Sequence, residues 1–139
     1  MVWQVRAALA TDMAAIEALV TAVDGDREEL RDEQFAVAEG EDGVILGCGR
    51  LRPYPKFCEL ASLAVTENVR AKGVGRAIVT SLLGRFQGPI YLICEDNVVD
   101  FFRCFKFESI PEIEMPAGLR PKWEYFCANA GSMNVMWRG

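Results

Sequence analysis

Apolar and polar positions alternate from Val2 to Ala8, and the β-branched and aromatic residues among them predict a first strand. The period then lengthens. Met13, Ile16, Leu19, Val20 and Val23 recur at helical spacing, and Thr11 offers an N-cap hydroxyl, so a helix is expected over about 12–23. Asp24-Gly25-Asp26 breaks that helix, and the polar stretch to Glu33 reads as either a short second helix or a loop. Phe35 to Ala38 and Val44 to Leu51 read as strands of a hairpin, joined by the turn-forming Glu39-Gly40-Glu41-Asp42-Gly43. Pro53 and Pro55 end the second of them.

Cys58 to Val65 is a further strand, rich enough in small apolar residues to be buried on both faces. A glycine-bearing loop follows at once. From Val74, the residues Ile78, Val79, Leu82, Leu83 and Phe86 form one apolar stripe, with Gly84 and Gly88 at its end. Pro89 to Cys94 is a continuous apolar strand. Val98, Phe101, Phe102 and Phe105 then mark a second amphipathic helix that Asp96 or Asn97 could cap. After Phe107 the pattern weakens, although Ser132 to Trp137 suits a closing strand. Strand, helix, strand, helix over 58–105 describes a right-handed crossover between parallel strands. The first half favours antiparallel pairing. The expected fold is therefore α/β or α+β: a mixed, mostly antiparallel sheet with a central parallel βαβ unit and helices on both faces.

The length, 139 residues, suits one domain over 1–139. Apolar residues make up 51% and charged residues 25%, so a packed core is expected rather than disorder. A net charge of -5 argues against a nucleic-acid partner, which needs clustered Lys and Arg. No run approaches the roughly 20 apolar residues that span a bilayer, and the start lacks a signal-peptide pattern, so a cytoplasmic location is expected. The five cysteines (Cys48, Cys58, Cys94, Cys104, Cys127) show no Cys-x-x-Cys spacing and there is no histidine, so they are expected to be buried thiols, with no metal site. The acidic residues between Asp24 and Asp42 read as a solvated face, with a docking face for a basic substrate as the other reading.

One segment departs from this acidic background. Gly73 and Gly75 stand at the entry to the predicted helix, where the first N–H groups lack internal acceptors and the macrodipole is positive. Arg70, Lys72 and Arg76 add charge around the same point, a combination that suits a phosphate. A Walker loop is excluded by the missing Gly-Lys-Ser/Thr ending. A dinucleotide fingerprint would need a small residue where Ile78 stands, although Glu95 follows at about the right distance. Two glycines that merely turn a corner are the remaining reading.

Leu63-Ala64-Val65 followed by Arg70-Ala71-Lys72-Gly73-Val74-Gly75-Arg76 resembles the acetyl-CoA signature of the GNAT superfamily of N-acetyltransferases. The resemblance covers nearly the whole chain, and its element order implies strand, helix, helix, three strands, helix, strand, helix, strand, strand. More narrowly, Val5 to Ala8, Phe101-Phe102, Met115-Pro116 and the region around Phe126-Cys127 resemble the subgroup that contains the amino-acid acetyltransferase domain of N-acetylglutamate synthase and its stand-alone relatives. It implies that Arg70, Ala71, Lys72, Gly73, Val74, Gly75 and Arg76 hold the pyrophosphate of acetyl-CoA mainly through backbone N–H groups. It also implies that backbone groups of Leu63, Ala64 and Val65 pair with the pantetheine arm.

Acetylation of an amine requires a proton to leave, and no histidine is present to take it. Glu59 stands on the preceding strand, where several members of the superfamily carry a glutamate base; the other reading is that it faces solvent or pairs with an arginine. The family's tyrosine acid has no counterpart, since Phe102 occupies that place, and Cys94 and Cys104 are donors by position only. An amino-acid acceptor needs a cation for its carboxylate, for which Arg50, Arg52, Arg120 and Lys122 are candidates. Trp123, Tyr125 and Trp137 could wall its pocket. The expected function is an acetyl-CoA-dependent N-acetyltransferase acting on a small-molecule amine, with a homodimer left open. The alternatives are a coenzyme A-binding module without turnover, an acetyltransferase for protein lysines or N-termini, and a ligand-free dimerisation domain.

Overall fold

The computed structural model describes residues 2–70 and 72–139. In chain order they form β1 (Trp3–Ala7), α1 (Met13–Ala22), β2 (Phe35–Gly40), β3 (Ile45–Pro53), β4 (Cys58–Val65), α2 (Val74–Leu83), β5 (Ile90–Cys94), α3 (Val99–Arg103), β6 (Glu108–Ile110), α4 (Arg120–Ala130) and β7 (Asn134–Arg138). The strands make one seven-stranded sheet in the order β1-β2-β3-β4-β5-β7-β6, mostly antiparallel, with a parallel β4–β5 pair. The fold is thus the expected mixed α/β arrangement. Two compact units divide the chain: Met1–Arg52 with Leu60–Gln87, and Pro53–Glu59 with Gly88–Gly139.

In the first unit, β1 and β2 pair antiparallel from Trp3↔Gly40 to Ala7↔Ala36, and β2 continues onto β3. The β2–β3 turn closes through the Gly40 N–H to the Val44 carbonyl at 2.9 Å, with Gly43 at φ +81°. Ile16 and Val20 of α1 are fully buried against Phe35, Val37, Cys48 and Ala64. Burying each such side chain contributes roughly 1.5–3 kcal/mol. The helix is not capped by Thr11. Instead the Asp12 carboxylate accepts the Leu9 N–H at 2.7 Å and pairs with Arg6 at 2.7 Å. The Arg6 guanidinium, helped by the Leu9 N–H and opposed by desolvation, holds the Asp12 carboxyl below the usual carboxylate range.

Helix α2 follows the predicted stripe, with Val74, Ile78, Val79 and Leu82 buried. A Cβ on Gly47 of β3 would lie 3.0 Å from Ile78 Cδ1 and 3.2 Å from the Ala64 carbonyl oxygen. A side chain there would require Ile78 and the Ala64 backbone to give way by a few tenths of an ångström, so glycine suits the close approach of β3, β4 and the start of α2. The polar stretch after α1 forms no α-helix: it is a loop with Asp24 and Glu29 at positive φ, followed by a 3-10 turn at Asp32–Gln34. Without an apolar stripe it has no face to bury, and polar contacts shape it instead.

In the second unit, β4 begins with Cys58↔Ile90 and Glu59↔Tyr91, parallel to β5, and β7 pairs antiparallel with both β5 and β6. Met115, Leu119 and Val135 form its core with Tyr54, Phe57, Tyr91, Ile93 and Trp123 packed against them. Of the predicted stripe, Phe102 and Phe105 are buried and Val98 and Phe101 half-buried, and Phe107 beyond it is buried as well. Helix α4 between β6 and β7 was not foreseen, and the implied order of two final strands in succession is corrected by it. None of its residues is fully buried, so its sequence carries no clear stripe; Pro121 in its first turn and Gly131 beyond its end were its only signals.

Cys48, Cys58 and Cys94 are buried as expected, whereas Cys104 is exposed and Cys127 half-buried. Burial pushes the Cys48 thiol up to about 12 and the Cys94 thiol to about 11. Among the described residues, no helix is long and apolar enough to cross a membrane.

Candidate functional site

The glycine loop ends where the sequence places it, at the N-terminus of α2. Gly73 is the N-cap, in the left-handed region at φ +85° and ψ 4°, and its carbonyl accepts the Ala77 N–H at 3.0 Å. A Cβ built on it would meet nothing within 4 Å, so the backbone here is open to an approaching group. The N–H groups of the first helical turn, from Val74, have no carbonyl four residues back within the helix. Arg70, Lys72 and Arg76 are exposed around them. Ala71 lies outside the described residues. Arg70 Nε donates to the Val65 carbonyl at 3.1 Å, which ties the loop to the end of β4. Between the two, the hydroxyl of Thr66 is buried with no hydrogen-bond partner among the described residues.

Strand β4 is kinked just before Leu63. Ser62 has φ +56°, a left-handed conformation that a non-glycine residue keeps only when its surroundings hold it. Its hydroxyl donates to the Asp26 carbonyl at 2.7 Å and accepts Arg50 Nε at 3.1 Å. Arg50 is fully buried and uses all its donors: the remaining four N–H groups reach the Glu29 and Glu28 carbonyls, Gln34 Oε1, and Asp26 Oδ2 at 2.6 Å. The charged fork therefore fastens the 26–34 loop to β4, and in this arrangement has no N–H left for a bound carboxylate. Arg52 pairs with Glu29 at 2.6 Å and Glu28 at 3.3 Å. Arg120 pairs with Glu112 at 2.8 Å and lies over the Trp123 ring.

Glu59 does not face solvent. Its residue is 2% exposed, and Oε1 accepts Lys122 Nζ at 2.6 Å and the Tyr54 hydroxyl at 3.2 Å. Lys122 is thus brought from α4 onto β4, a lysine where the other reading of Glu59 expected solvent or an arginine. Charges removed from water to this extent require close pairing, since leaving one alone costs several kcal/mol. The Tyr54 ring borders an open groove of ≈ 500 Å³ lined also by Phe57, Tyr91, Pro116 and Gly118. Tyr54 and Phe57 stack at 4.6 Å, and Phe57 meets Tyr91 edge-on at 5.3 Å. Tyr91 is the register partner of Glu59, so strand pairing sets the groove beside the carboxylate.

Tyr54, Phe57 and Tyr91 had not been singled out in the sequence. The signal was present in Tyr54-Pro55-Lys56-Phe57, an aromatic and proline-rich connection immediately before Glu59, but its prolines were read only as strand terminators. Of the expected pocket walls, Trp123 donates Nε1–H to the Met133 carbonyl at 3.1 Å, Tyr125 is exposed, and Trp137 lies on β7. Phe102 is buried and packs edge-on against Phe101 and Phe107. Cys104 Sγ donates to the Asp100 carbonyl.

Residues 6–107 match the family model described as "Acetyltransferase (GNAT) family". No curated protein matches the chain. Among solved structures, the chain is similar to N-acetylglutamate synthase from Neisseria gonorrhoeae complexed with coenzyme A and N-acetyl-glutamate, with 20% identity and a TM-score of 0.80. The match covers 99% of this chain and 35% of that one, so the chain spans about a third of that protein's length. It is also similar to Rv2747 from Mycobacterium tuberculosis in complex with CoA and NLQ, with 23% identity, a TM-score of 0.78, and 96% and 97% of the two chains covered. Ard1 from Thermoplasma volcanium aligns at 18% identity and a TM-score of 0.72, over 99% and 97% of the two chains.

Proposed function

The chain belongs to the acetyltransferase (GNAT) family, and on that premise we propose that it is an acetyl-CoA-dependent N-acetyltransferase that acylates the amine of a small molecule, an amino acid, by direct transfer in a ternary complex. The observation that carries this reading is the open, positively φ-configured Gly73 at the start of α2, ringed by Arg70, Lys72 and Arg76. Such an end suits a pyrophosphate in charge and in backbone geometry. Val74 and Gly75 would donate N–H groups, the three cations would offset the phosphate charge, and Leu63 to Val65 would run beside the pantetheine arm as an added strand. The buried Thr66 hydroxyl, without a partner among the described residues, would be a further donor at that place. Acetyl-CoA, when bound, supplies the activated acetyl thioester. The coenzyme A complexes of the Neisseria gonorrhoeae and Mycobacterium tuberculosis proteins support the same cofactor here.

Glu59 is the proposed base. An α-amino group is mostly protonated at neutral pH, its pKa lying near ~8, and must lose that proton before it attacks the thioester. The Glu59 carboxylate would take it through the Tyr54 hydroxyl or a water molecule, with Lys122 fixing the carboxylate's position. Phe102 cannot protonate the departing thiolate, which would take its proton from water.

Glu59→Gln keeps an oxygen for Lys122 Nζ and Tyr54 Oη while removing the proton acceptor. It is expected to lower kcat at pH 7 by about 10²–10³-fold. Its acetyl-CoA affinity should stay within about twofold of the wild type. Stopped-time assays of free thiol release across pH, paired with cofactor titration, check this. An unchanged pH–rate profile would remove Glu59 from the mechanism.

A further inference from the structure

The subgroup that the sequence resembles includes an enzyme for an acidic amino acid, and the three arginines expected to receive a carboxylate already have internal partners. Arg50 spends its whole fork on five internal acceptors, and Arg52 and Arg120 are each held by glutamates. The groove beside Glu59 has the opposite character. It is lined by Tyr54, Phe57 and Tyr91, prolines, and Gly118, and among the described residues Lys56 is its one charged lining residue. One of the lining residues also carries a polar group, the Tyr54 hydroxyl, which donates to the buried Glu59 carboxylate. A ligand matching these features has a flat apolar body and an amine at one end, and the exposed Lys56 suits a single carboxylate.

We propose that this groove is the acceptor subsite and that it selects an amino acid with an aromatic side chain over one with an acidic side chain. The inference rests on the acetyltransferase reading, which it makes more specific. The ring of the acceptor lies against Phe57 and Tyr91, its amine is directed to Tyr54 and Glu59, and its α-carboxylate is directed to Lys56. A second carboxylate in place of the ring would be stripped of water among apolar side chains with no cation to receive it. The width of the slot is set in part by Gly118. A Cβ there would sit 3.5 Å from Tyr54 Cδ2 and 3.9 Å from Phe57 Cζ, ordinary contact distances, so alanine fits, while the added branches of a leucine would extend into the space beside these rings.

L-Phenylalanine and L-glutamate share their amine and α-carboxylate and differ only in the side chain, so they are the probes. Two readouts apply: equilibrium binding of each to the coenzyme A-saturated protein by saturation-transfer NMR, and initial rates of thiol release with acetyl-CoA. The expected result is at least tenfold tighter binding and at least tenfold higher kcat/KM for L-phenylalanine. Gly118→Leu should abolish that preference and Gly118→Ala retain it, with coenzyme A binding unchanged in both as the check on folding. Phe57→Ala, which removes a wall without filling the slot, should weaken L-phenylalanine by a similar factor. Equal or better binding of L-glutamate, or L-phenylalanine binding indifferent to both Gly118→Leu and Phe57→Ala, would overturn the inference. Transfer to L-glutamate with a kcat/KM equal to or above that of L-phenylalanine would overturn it while leaving the acetyltransferase reading intact. Groove-dependent binding of L-phenylalanine without any thiol release would uphold the subsite and overturn the acetyltransferase reading.

Discussion

Gly73→Glu is expected to abolish acetyl-CoA binding, with an affinity loss near a thousandfold. The residue stands at φ +85°, where an L side chain costs about 1–2 kcal/mol, and its Cβ would project into space that is otherwise open. The glutamate side chain would therefore occupy the place proposed for the pyrophosphate and set a carboxylate against it. At a separation of about 4 Å and an effective dielectric near 20, one such charge pair repels by roughly 4 kcal/mol, which is close to three decades in affinity. Gly73→Ala separates the two effects. It keeps the strain, costing roughly 1 kcal/mol of stability, but adds no charge, so most of the binding should survive. Isothermal titration with coenzyme A reads both variants. An unchanged affinity in Gly73→Glu would detach the loop from the cofactor.

Arg50→Met should destabilise the fold by about 3–5 kcal/mol, a large part of the roughly 5–15 kcal/mol that holds an ordinary domain together. The guanidinium is fully buried, and its removal withdraws five donors from Ser62, Gln34, Asp26 and the Glu28 and Glu29 carbonyls. It also releases Ser62 from φ +56°, so Leu63 to Val65 should lose their direction and coenzyme A affinity should fall together with stability. Arg52→Met provides the contrast. Its glutamate partners are mostly exposed, and an ion pair of that kind contributes under about 1 kcal/mol. Urea denaturation midpoints distinguish the two. If Arg50→Met instead raised the KM for the amine and left the midpoint alone, Arg50 would be a substrate residue.

What could be read from the sequence depended on the physical origin of each feature. Helix α2 and its loop were legible because an apolar stripe, two glycines and three cations are local properties, each carried by residues next to one another. The strands from Phe35 to Cys94 were legible for the same reason, their apolar runs being bounded by glycine and proline. Helix α4 was hidden because it buries none of its side chains fully, and periodicity reports only buried faces. The 26–34 loop reads as either helix or coil in the sequence because its order comes from Arg50, which lies some twenty residues away. Likewise, nothing near Glu59 in the sequence reveals Lys122, 63 residues further on, and the pairing appears only when α4 is in place. The arginines proposed as carboxylate receptors show the same limit in reverse. Their residue type suggested a ligand, but type alone does not tell whether an internal carboxylate or carbonyl has already taken the donors.

The central claim is that this chain moves an acetyl group from coenzyme A to the amine of an amino acid. It is tested most directly by incubating the protein with acetyl-CoA and each amino acid in turn, measuring free thiol and the mass of the amine product together. For at least one amino acid, thiol should be released in equimolar amounts with an N-acetyl product about 42 Da heavier than the acceptor, the mass of an acetyl group less the displaced proton. Tight binding of acetyl-CoA with no acetylated amine formed from any of them would contradict it.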